Sequence, residues 1–423
     1  MRILINSLNF APEPTGCGKY TSEMAEWLAA RGHEVEVICA PPHYPWWSVR
    51  EPYRAGAFSS EVWRGVVVWR TPLWVPDVRR VTSVKRILME SSFAAGSLRY
   101  WLEKFMRRRH DVCIAICPPL QASLLPLAYA KLRGVPWVLH VQDLQVDAAV
   151  DLGMLPSGVG RSLLALEARI LSQASLVSSI SEPMLSRLIA KGVAPERAVL
   201  LPNWADVDVL QPRSTNTEYR RELGIGANDF VVMYAGAMGE KQGLDLVVEA
   251  ARGLDHYSDI HFVFVGSGPA KAGLQAAVTA HGMPRFHFAD VQPAERLEEV
   301  LCTGDVHLVV QQPEVSDLVM PSKIGNILAV GRTFVASARE GSAVAQVAHA
   351  SLAGRVVPPG DAGAMAHAIV ATRDGRDTLP AQGLAGRAYA VGNLSRNDLL
   401  LPFENALRRL VSTSFSPSTR SAA

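Results

Sequence analysis

The chain has 423 residues, of which 48% are hydrophobic and 19% are charged, and its formal net charge is +2. This length favours two domains of about 200 residues each, and this composition excludes an intrinsically disordered chain. No apolar run reaches the about 18 residues that span a membrane, and no secretory signal peptide is recognisable, so the sequence predicts a cytoplasmic protein. The five cysteines, an odd number in largely apolar surroundings, agree with a reducing compartment.

Short runs rich in β-branched residues alternate with longer segments of helical periodicity along the whole chain. This alternation is typical of parallel sheets with crossover helices, so the sequence predicts an α/β fold with two doubly wound sheets. In the first half, strands are predicted over residues 2–6, 35–39, 66–69, 112–116, 137–141, 176–180 and 199–201. In the second half, they are predicted over residues 230–234, 261–265, 285–288, 306–310 and 334–336.

The predicted boundary between the domains lies at Pro202, because a polar segment typical of a linker follows it. The N-terminal domain is therefore predicted to comprise residues 1–202 and the C-terminal domain residues 203–385. Helices over residues 386–411 are expected to pack back towards the first domain. The Ser/Thr/Pro-rich tail, residues 412–423, is expected to be disordered.

A glycine loop containing Gly16 and Gly18 follows the first predicted strand and precedes a predicted helix. Such a loop lets backbone N–H groups and the helix dipole face an anion, but an ordinary structural turn requires the same residues. The segment is not a P-loop, because Glu13 occupies the position of its first glycine. It also departs from the dinucleotide-binding pattern, because Thr21 replaces the third glycine.

A basic segment follows between residues 79 and 109, with nine Lys and Arg residues against two Glu residues. A helix is predicted from Val84 to Phe105, with its basic residues gathered at both ends. Basic amphipathic helices lie on anionic membranes, but a helix that faces the core and has a solvated rim shows the same pattern. Both interpretations stay open. The apolar side comprises Val84, Ile87, Leu88, Ala95, Leu98, Leu102 and Phe105.

Three loops with anion-binding character follow strands of the second half. They are Gly236 to Gly239 with Lys241, then Gly266-Ser267-Gly268, and finally Ser322-Lys323 at the start of a helix. Ligands of doubly wound sheets bind at the carboxyl ends of the strands, so the three loops together predict a diphosphate pocket. Taken singly, Lys241 could be an exposed lysine at a helix start, and Ser322 could be a structural N-cap.

Several motifs make the chain similar, over almost its whole length, to the retaining glycosyltransferases of family 4, which have the GT-B fold. These motifs are Arg31 to Val35, Leu201 to Asp206, Gly236 to Gly243, Val265 to Pro269 and Ala329 to Arg332. The segments 40–45, 238–243 and 319–323 most resemble the subgroup that acts in bacterial surface-polysaccharide assembly, including the colanic-acid fucosyltransferase type. The resemblance implies two Rossmann-like domains facing a central cleft.

The resemblance also implies site residues, with some departures from the family pattern. The family's His-Asp pair aligns with Gln142 and Asp143, and His140 lies on the same strand face as Gln142, so His140 is either a substitute or a buried core histidine. The catalytic residues expected on this basis are Asp143, His140 and Lys241. The expected donor-binding residues are Gly16, Gly18, Gly236, Gly239, Lys241, Gly266, Ser267, Gly268, Ser322, Lys323 and Asn326.

Three family positions carry other residues in this chain. Asn326 stands where a family glutamate holds the ribose, Leu318 lies roughly at the position of the other glutamate, and Ala237 replaces the usual arginine. No carboxylate pair suited to magnesium lies beside the loops, so neither a metal nor another cofactor is expected.

The function implied is transfer, with retention, of fucose or a related deoxy or amino sugar from a GDP- or UDP-sugar. The expected acceptor is a polyprenyl-diphosphate-linked saccharide, with an anionic membrane surface as a further candidate partner. Nucleic acid is not expected, because the second half of the chain is acidic. Two alternatives stay open: a sugar-nucleotide epimerase or hydrolase with the same architecture, and a catalytically silent protein that binds nucleotide and a polysaccharide-assembly partner.

Overall fold

The computed structural model describes residues 1–14, 16–77, 83–151, 157–239, 242–312 and 321–415. The chain divides into two compact units between Pro202 and Asn203. The first unit contains Met1–Pro202 and the C-terminal segment from Leu400, and the second contains Asn203–Leu399. Among the described residues, no helix combines the length and the apolar composition needed to cross a membrane.

The first unit contains an eight-stranded sheet in the order β3-β4-β2-β1-β5-β6-β7-β8. All neighbouring strands are parallel except β3 and β4. The strands are β1 (Arg2–Ser7), β2 (Glu34–Cys39), β3 (Ser59–Trp63), β4 (Val66–Arg70), β5 (Val112–Cys117), β6 (Trp137–Val141), β7 (Leu176–Ser179) and β8 (Ala198–Leu200). The helices are α1 (Gly16–Ala30), α2 (Ser83–Met106), α3 (Leu124–Arg133), α4 (Gln145–Asp151), α5 (Ser157–Leu171) and α6 (Glu182–Ala190).

The second unit contains a six-stranded parallel sheet in the order β11-β10-β9-β12-β13-β14. Its strands are β9 (Phe230–Ala235), β10 (Ile260–Val265), β11 (Phe286–Ala289), β12 (Val306–Val310), β13 (Thr333–Ser337) and β14 (Gly354–Val357). Its helices are α7 (Glu218–Glu222), α8 (Asp245–Arg252), α9 (Lys271–Ala280), α10 (Leu297–Thr303), α11 (Lys323–Ala329), α12 (Ala343–Ser351), α13 (Ala362–Asp374) and α14 (Leu379–Asn393). The last helix, α15 (Arg396–Phe415), begins in this unit and belongs to the first unit from Leu400.

Both sheets confirm the predicted doubly wound α/β fold, and each predicted strand lies within one residue of an observed one. The central strands are almost fully buried, as expected for parallel strands covered by helices on both faces. In each sheet the strand order reverses beside the first strand, between β1 and β5 and between β9 and β12. This reversal is the position at which doubly wound sheets bind ligands.

The C-terminal part of the chain differs from the prediction at two points. The return to the first unit comes at Leu400 rather than at residue 386, because α14 packs against α11 and α12 of the second unit. Residues 412–415, which were expected to be disordered, form the last turn of α15. The remaining tail, residues 416–423, lies outside the described residues.

A buried carboxylate attaches α15 to the first unit. The Glu404 side chain is completely buried and accepts hydrogen bonds from Arg31 Nε at 2.5 Å, His33 Nε2 at 2.9 Å and Arg408 Nη2 at 2.6 Å. Burial alone would raise the pKa of Glu404, but the hydrogen bonds from His33, Arg408 and Arg31 lower it to about 2. The carboxylate is therefore ionised in the folded protein at any physiological pH.

We expect Glu404→Ala to destabilise the first unit by about 1–3 kcal/mol, because the buried His33 ring loses its hydrogen-bond acceptor. The half-exposed Arg31 and Arg408 lose the same partner but stay solvated. Hydrogen exchange should accelerate in α15 and in the segment around Arg31. Because the folded pKa of Glu404 is lowered, its contribution is present above about pH 4.3 and is lost as the pH falls towards 2. Glu249→Ala, at an exposed glutamate of α8, is the matched control, and equal exchange rates in the two variants would contradict the assignment.

Candidate functional site

Two of the predicted anion-binding loops meet at the carboxyl ends of β9 and β10. Met238 N donates a hydrogen bond to Ser267 O at 2.8 Å, and Ala270 N donates one to Met238 O at 2.9 Å. Gly236 N donates to Val265 O at 2.9 Å, immediately before the two loops begin. Both loops therefore lie at the predicted edge of the sheet and hold each other in place.

The close approach of these loops requires glycine at two positions. Gly266 has φ +153°, and a Cβ atom built on it would lie 1.9 Å from Gly236 O. Gly268 has φ +152°, and its Cβ atom would lie 2.3 Å from Met238 O. No other residue fits such distances without moving the backbone, so the two glycines determine the spacing of the loops.

Lys323, the first residue of α11, directs its ammonium group towards the first of these loops. Its Nζ lies 3.7 Å from the centroid of the Tyr234 ring and would lie 3.4 Å from a Cβ atom at Gly236. This nitrogen is buried and has no hydrogen-bond partner in the described part of the chain. Burial lowers the pKa of Lys323 to about 7. Because a buried ammonium is costly unless it is paired, the arrangement suits an anionic ligand at the glycine loops.

The lowered pKa of Lys323 gives the ligand-free protein a pH-dependent stability. The unfolded lysine binds a proton up to about pH 10.4, whereas the folded one releases it near pH 7. Between these values the unfolded state binds more protons, so stability should rise with pH. Melting temperatures measured without ligand from pH 7 to 9.5 should show this rise for the native chain. The same series for Lys323→Met should be flatter, and identical pH slopes would contradict a buried unpaired ammonium.

The other residues predicted for this site are less constrained. Ser322 is exposed and occupies the N-cap position of α11, but its hydroxyl makes no capping hydrogen bond, so the structural N-cap interpretation is wrong. Asn326 lies one helical turn after Lys323 and is half-buried. Gly239 N donates a hydrogen bond to Gln242 Oε1 at 3.0 Å. Lys241, and likewise Leu318, lie outside the described residues.

His140 is held inside the first unit by two hydrogen bonds. Its Nδ1 lies 2.9 Å from Ser178 Oγ, and its Nε2 lies 3.1 Å from Gln142 Nε2. Burial lowers the pKa of His140 to about 4, so the ring is neutral at physiological pH. With both ring nitrogens engaged, the geometry favours a core histidine that positions Gln142. This geometry is that of the buried core histidine, one of the two roles that the sequence left open, and the catalytic role of His140 stays a prediction.

Asp143 follows β6 and lies close to the start of α1. Burial, together with the neighbouring charges of Asp143 and Glu13, raises the pKa of the Cys17 thiol to about 12. Cys17 lies between Gly16 and Gly18 in the first turn of α1, so the segment predicted as a glycine loop before the helix is the start of the helix itself. The structure thus brings Asp143 close to the first turn of α1, at the carboxyl edge of the first sheet. No group of three or more His, Cys, Asp or Glu residues in the described ranges is arranged to hold a metal ion.

Glu13 connects the loops that follow β1 and β2 through hydrogen bonds. The sequence did not indicate this role. Its fully buried Oε1 accepts the backbone N–H groups of His43 at 2.8 Å and Tyr44 at 3.0 Å, and Oε2 accepts Asn9 Nδ2 at 2.8 Å. A Cβ atom on Gly18 would lie 2.7 Å from Glu13 Oε2, so Gly18 makes room for this carboxylate. Gly18, in the first turn of α1, therefore has this structural role, and its expected contact with the donor stays a prediction. In the sequence, the only indication of the role of Glu13 is that this glutamate lies between two prolines in an apolar stretch.

We expect Glu13→Ala to loosen the loop at Tyr44, because two buried backbone N–H groups lose their acceptor, at a cost of about 1–3 kcal/mol each. Glu13→Gln should retain most of the stability, since a single oxygen, Oε1, accepts both N–H groups. Urea denaturation and hydrogen exchange of residues 41–48 would measure the difference. If Gln is as damaging as Ala, the negative charge of Glu13 rather than its acceptor geometry is what matters.

Comparisons with known proteins point to one family for both units. The family profile described as "Glycosyl transferase 4-like domain" matches residues 15–204, and the one described as "Glycosyl transferases group 1" matches residues 229–373. The chain is 37% identical over 418 residues to the "Putative colanic acid biosynthesis glycosyl transferase WcaI" of Escherichia coli K12, a match that covers 96% of this chain and 100% of that one.

Two solved structures share the fold over nearly their whole length. Sucrose-phosphate synthase from Thermosynechococcus elongatus superposes with a TM-score of 0.74 at 17% identity, covering 97% of this chain and 99% of that one. HepE from Anabaena, solved in complex with UDP and glucose, superposes with a TM-score of 0.71 at 15% identity, covering 96% of this chain and 99% of that one. At these identities the likeness concerns the fold alone.

Proposed function

Because this chain belongs to the glycosyltransferases with the GT-B fold, we propose that it transfers a sugar to a lipid-linked saccharide during assembly of a bacterial surface polysaccharide. The donor is a GDP- or UDP-sugar, with fucose or a related deoxy or amino sugar as the group transferred. The acceptor is a polyprenyl-diphosphate-linked saccharide, and the reaction takes place at the inner face of the plasma membrane. The 37% identity to a glycosyltransferase named for colanic acid biosynthesis supports this choice.

The observation that carries the donor assignment is the buried ammonium of Lys323 beside the glycine loops, which has no hydrogen-bond partner among the described residues. A nucleoside diphosphate sugar carries a diphosphate with two negative charges. This diphosphate would be the anionic partner that the Lys323 ammonium lacks among the described residues. Gly236, Gly239 and Gly266 to Gly268 supply the backbone of the same site. Ser322 lies beside the diphosphate, and Asn326, one turn further along α11, lies towards the ribose.

The mechanism we propose retains the configuration of the anomeric carbon and needs no metal. As the bond between the sugar and the diphosphate breaks, negative charge grows on the leaving diphosphate. Lys323 and Lys241 stabilise that charge in a site from which water is excluded, where a fixed donor is most effective. In the first unit, Asp143 acts at the donor sugar or the reacting centre, and His140 holds Gln142 beside it.

The proposal is tested by incubating the purified protein with GDP-fucose or with individual UDP-sugars, with and without a lipid-diphosphate saccharide. Product is detected by mass spectrometry, and the anomeric configuration by NMR. Transfer that depends on the acceptor, with retained configuration, supports the proposal. Consumption of donor without an acceptor would identify an epimerase or hydrolase. Binding of donor with no turnover on any acceptor would identify a silent nucleotide-binding protein.

A further inference from the structure

The apolar side of α2 faces solvent rather than the core of the first unit. Its six large apolar residues from Val84 to Phe105, together with Met106, are between 36% and 83% exposed. Ala95 is exposed as well. These positions recur at helical spacing, so they form one stripe along a helix of 24 residues, or about 36 Å. The stripe comprises Val84, Ile87, Leu88, Ala95, Leu98, Leu102, Phe105 and Met106.

The opposite side of α2 fixes the orientation of the helix. Met89, Phe93 and Trp101 are buried in the first unit. Lys104 is also buried, and its Nζ donates a hydrogen bond to Glu36 Oε2 at 2.5 Å. Turning the stripe inwards would expose these three apolar residues and break this ion pair. The interpretation of α2 as a helix whose apolar side faces the core is therefore wrong.

Positive charge surrounds the stripe. Lys85 and Arg86 lie at its N-terminal end, Arg99 is exposed beside Leu98, and Arg107 to Arg109 follow its C-terminal end. The two glutamates of the helix offset only part of this charge, because Glu90 pairs with Arg86 and Glu103 pairs with Arg107. The excess of basic residues over these two glutamates stays positive. Arg79 and Arg80 lie outside the described residues.

We propose that this stripe docks on an anionic lipid bilayer, with α2 lying in the plane of the interface. A contiguous apolar face requires a nonpolar phase, and its basic surroundings match anionic head groups in charge. A nucleic acid would complement the positive charges, but it would offer no nonpolar phase to the apolar face. The assignment rests on the proposed function, because a polyprenyl-linked acceptor is confined to such a bilayer.

The position of α2 connects the bilayer with the candidate site of the first unit. Burial raises the pKa of the Tyr44 hydroxyl, and the positive charge of Arg86 opposes this shift. Arg86 acts on the Cys17 thiol in the same way. Met89 and Phe93 of α2 also pack in one buried cluster with Leu8 and Ala40, which follow β1 and β2, so this part of α2 lies close to the loops that Glu13 connects. A lipid resting on the stripe would present its diphosphate and saccharide near this edge of the first sheet.

The test is flotation of the full chain with vesicles of phosphatidylcholine alone and of phosphatidylcholine with 30% phosphatidylglycerol. The native chain should float with the anionic vesicles only, and less at high salt. Leu98→Ser with Leu102→Ser should lower the partition coefficient about tenfold or more, because it removes the aliphatic surface that enters the interface. Neutralising Arg99 and Arg108 with glutamine should lower it about fivefold per residue.

The matched controls are Leu384→Ser, at an exposed leucine of α14, and Arg252→Gln, at an exposed arginine of α8. Neither should change flotation. The proposal is overturned if the native chain fails to bind anionic vesicles, if the stripe variant binds as well as the native chain, or if light scattering shows a dimer that the stripe variant abolishes. Nucleotide binding measured on the same variants separates the two proposals, since the stripe variants should bind the donor normally even where vesicle binding is lost.

Discussion

Replacing Lys323 with methionine is expected to lower sugar transfer by a factor of about 100 to 1,000, which is typical of removing one fixed donor from a transition-state charge. Methionine is of similar length and apolar, so the buried position beside Tyr234 stays filled. The loss should appear mainly in the rate of the transfer step and in donor affinity, because the ammonium faces the loops that hold the diphosphate. Steady-state kinetics with donor and acceptor varied separately would measure both.

A second property of Lys323→Met distinguishes a donor-binding lysine from a structural one. Removing an unpaired buried ammonium removes a desolvation cost, so the donor-free variant should melt at a temperature equal to or above that of the native chain. Arg252→Met, which removes an exposed charge from the same unit, is the control and should leave transfer unchanged. Loss of stability together with activity in Lys323→Met would show that the lysine supports the fold, contrary to the proposal.

Replacing Gly266 with alanine is expected to be the most damaging single methyl addition in the second unit. The new Cβ would lie 1.9 Å from Gly236 O, and φ +153° is strained for any L residue with a side chain. Overpacking and backbone strain together cost about 2–6 kcal/mol. We expect either unfolding of the second unit at moderate temperature or displacement of the loop at Gly236, with donor binding lost in both cases.

Gly273→Ala provides the control for Gly266→Ala. Gly273 lies within α9, and a Cβ atom there would meet no atom within 4 Å. The substitution should stabilise the second unit by about 0.4–1 kcal/mol, because alanine restricts the unfolded chain. Hydrogen exchange in β9 and β10, compared between the two variants, would localise the effect. A Gly266→Ala protein with native exchange rates and native donor affinity would contradict the geometry described for the loops.

The sequence was sufficient to predict those features that depend on residues close together in the chain. Runs of β-branched residues located twelve strands, and glycines placed directly after strands located the loops at the carboxyl edge. It was insufficient for β3 and β14, which are edge strands. β3 is short and largely polar, with Val62 exposed, and β14 contains Gly354 and Arg355. Neither has the apolar pattern of a buried strand, and each is defined by its pairing with a neighbouring strand.

Thus the sequence alone determined the two doubly wound sheets, the family resemblance and the loops that form the candidate site. Only the tertiary structure decided which side chains of these segments are buried and what they contact. The fold places the Lys323 ammonium against the Tyr234 ring, without a hydrogen-bond partner among the described residues, and His140 is held because Ser178, on the next strand, lies opposite it. In the same way, periodicity showed which residues of α2 share a face, but not which face is covered. Burial and pairing depend on residues far apart in the chain, and no local pattern encodes them.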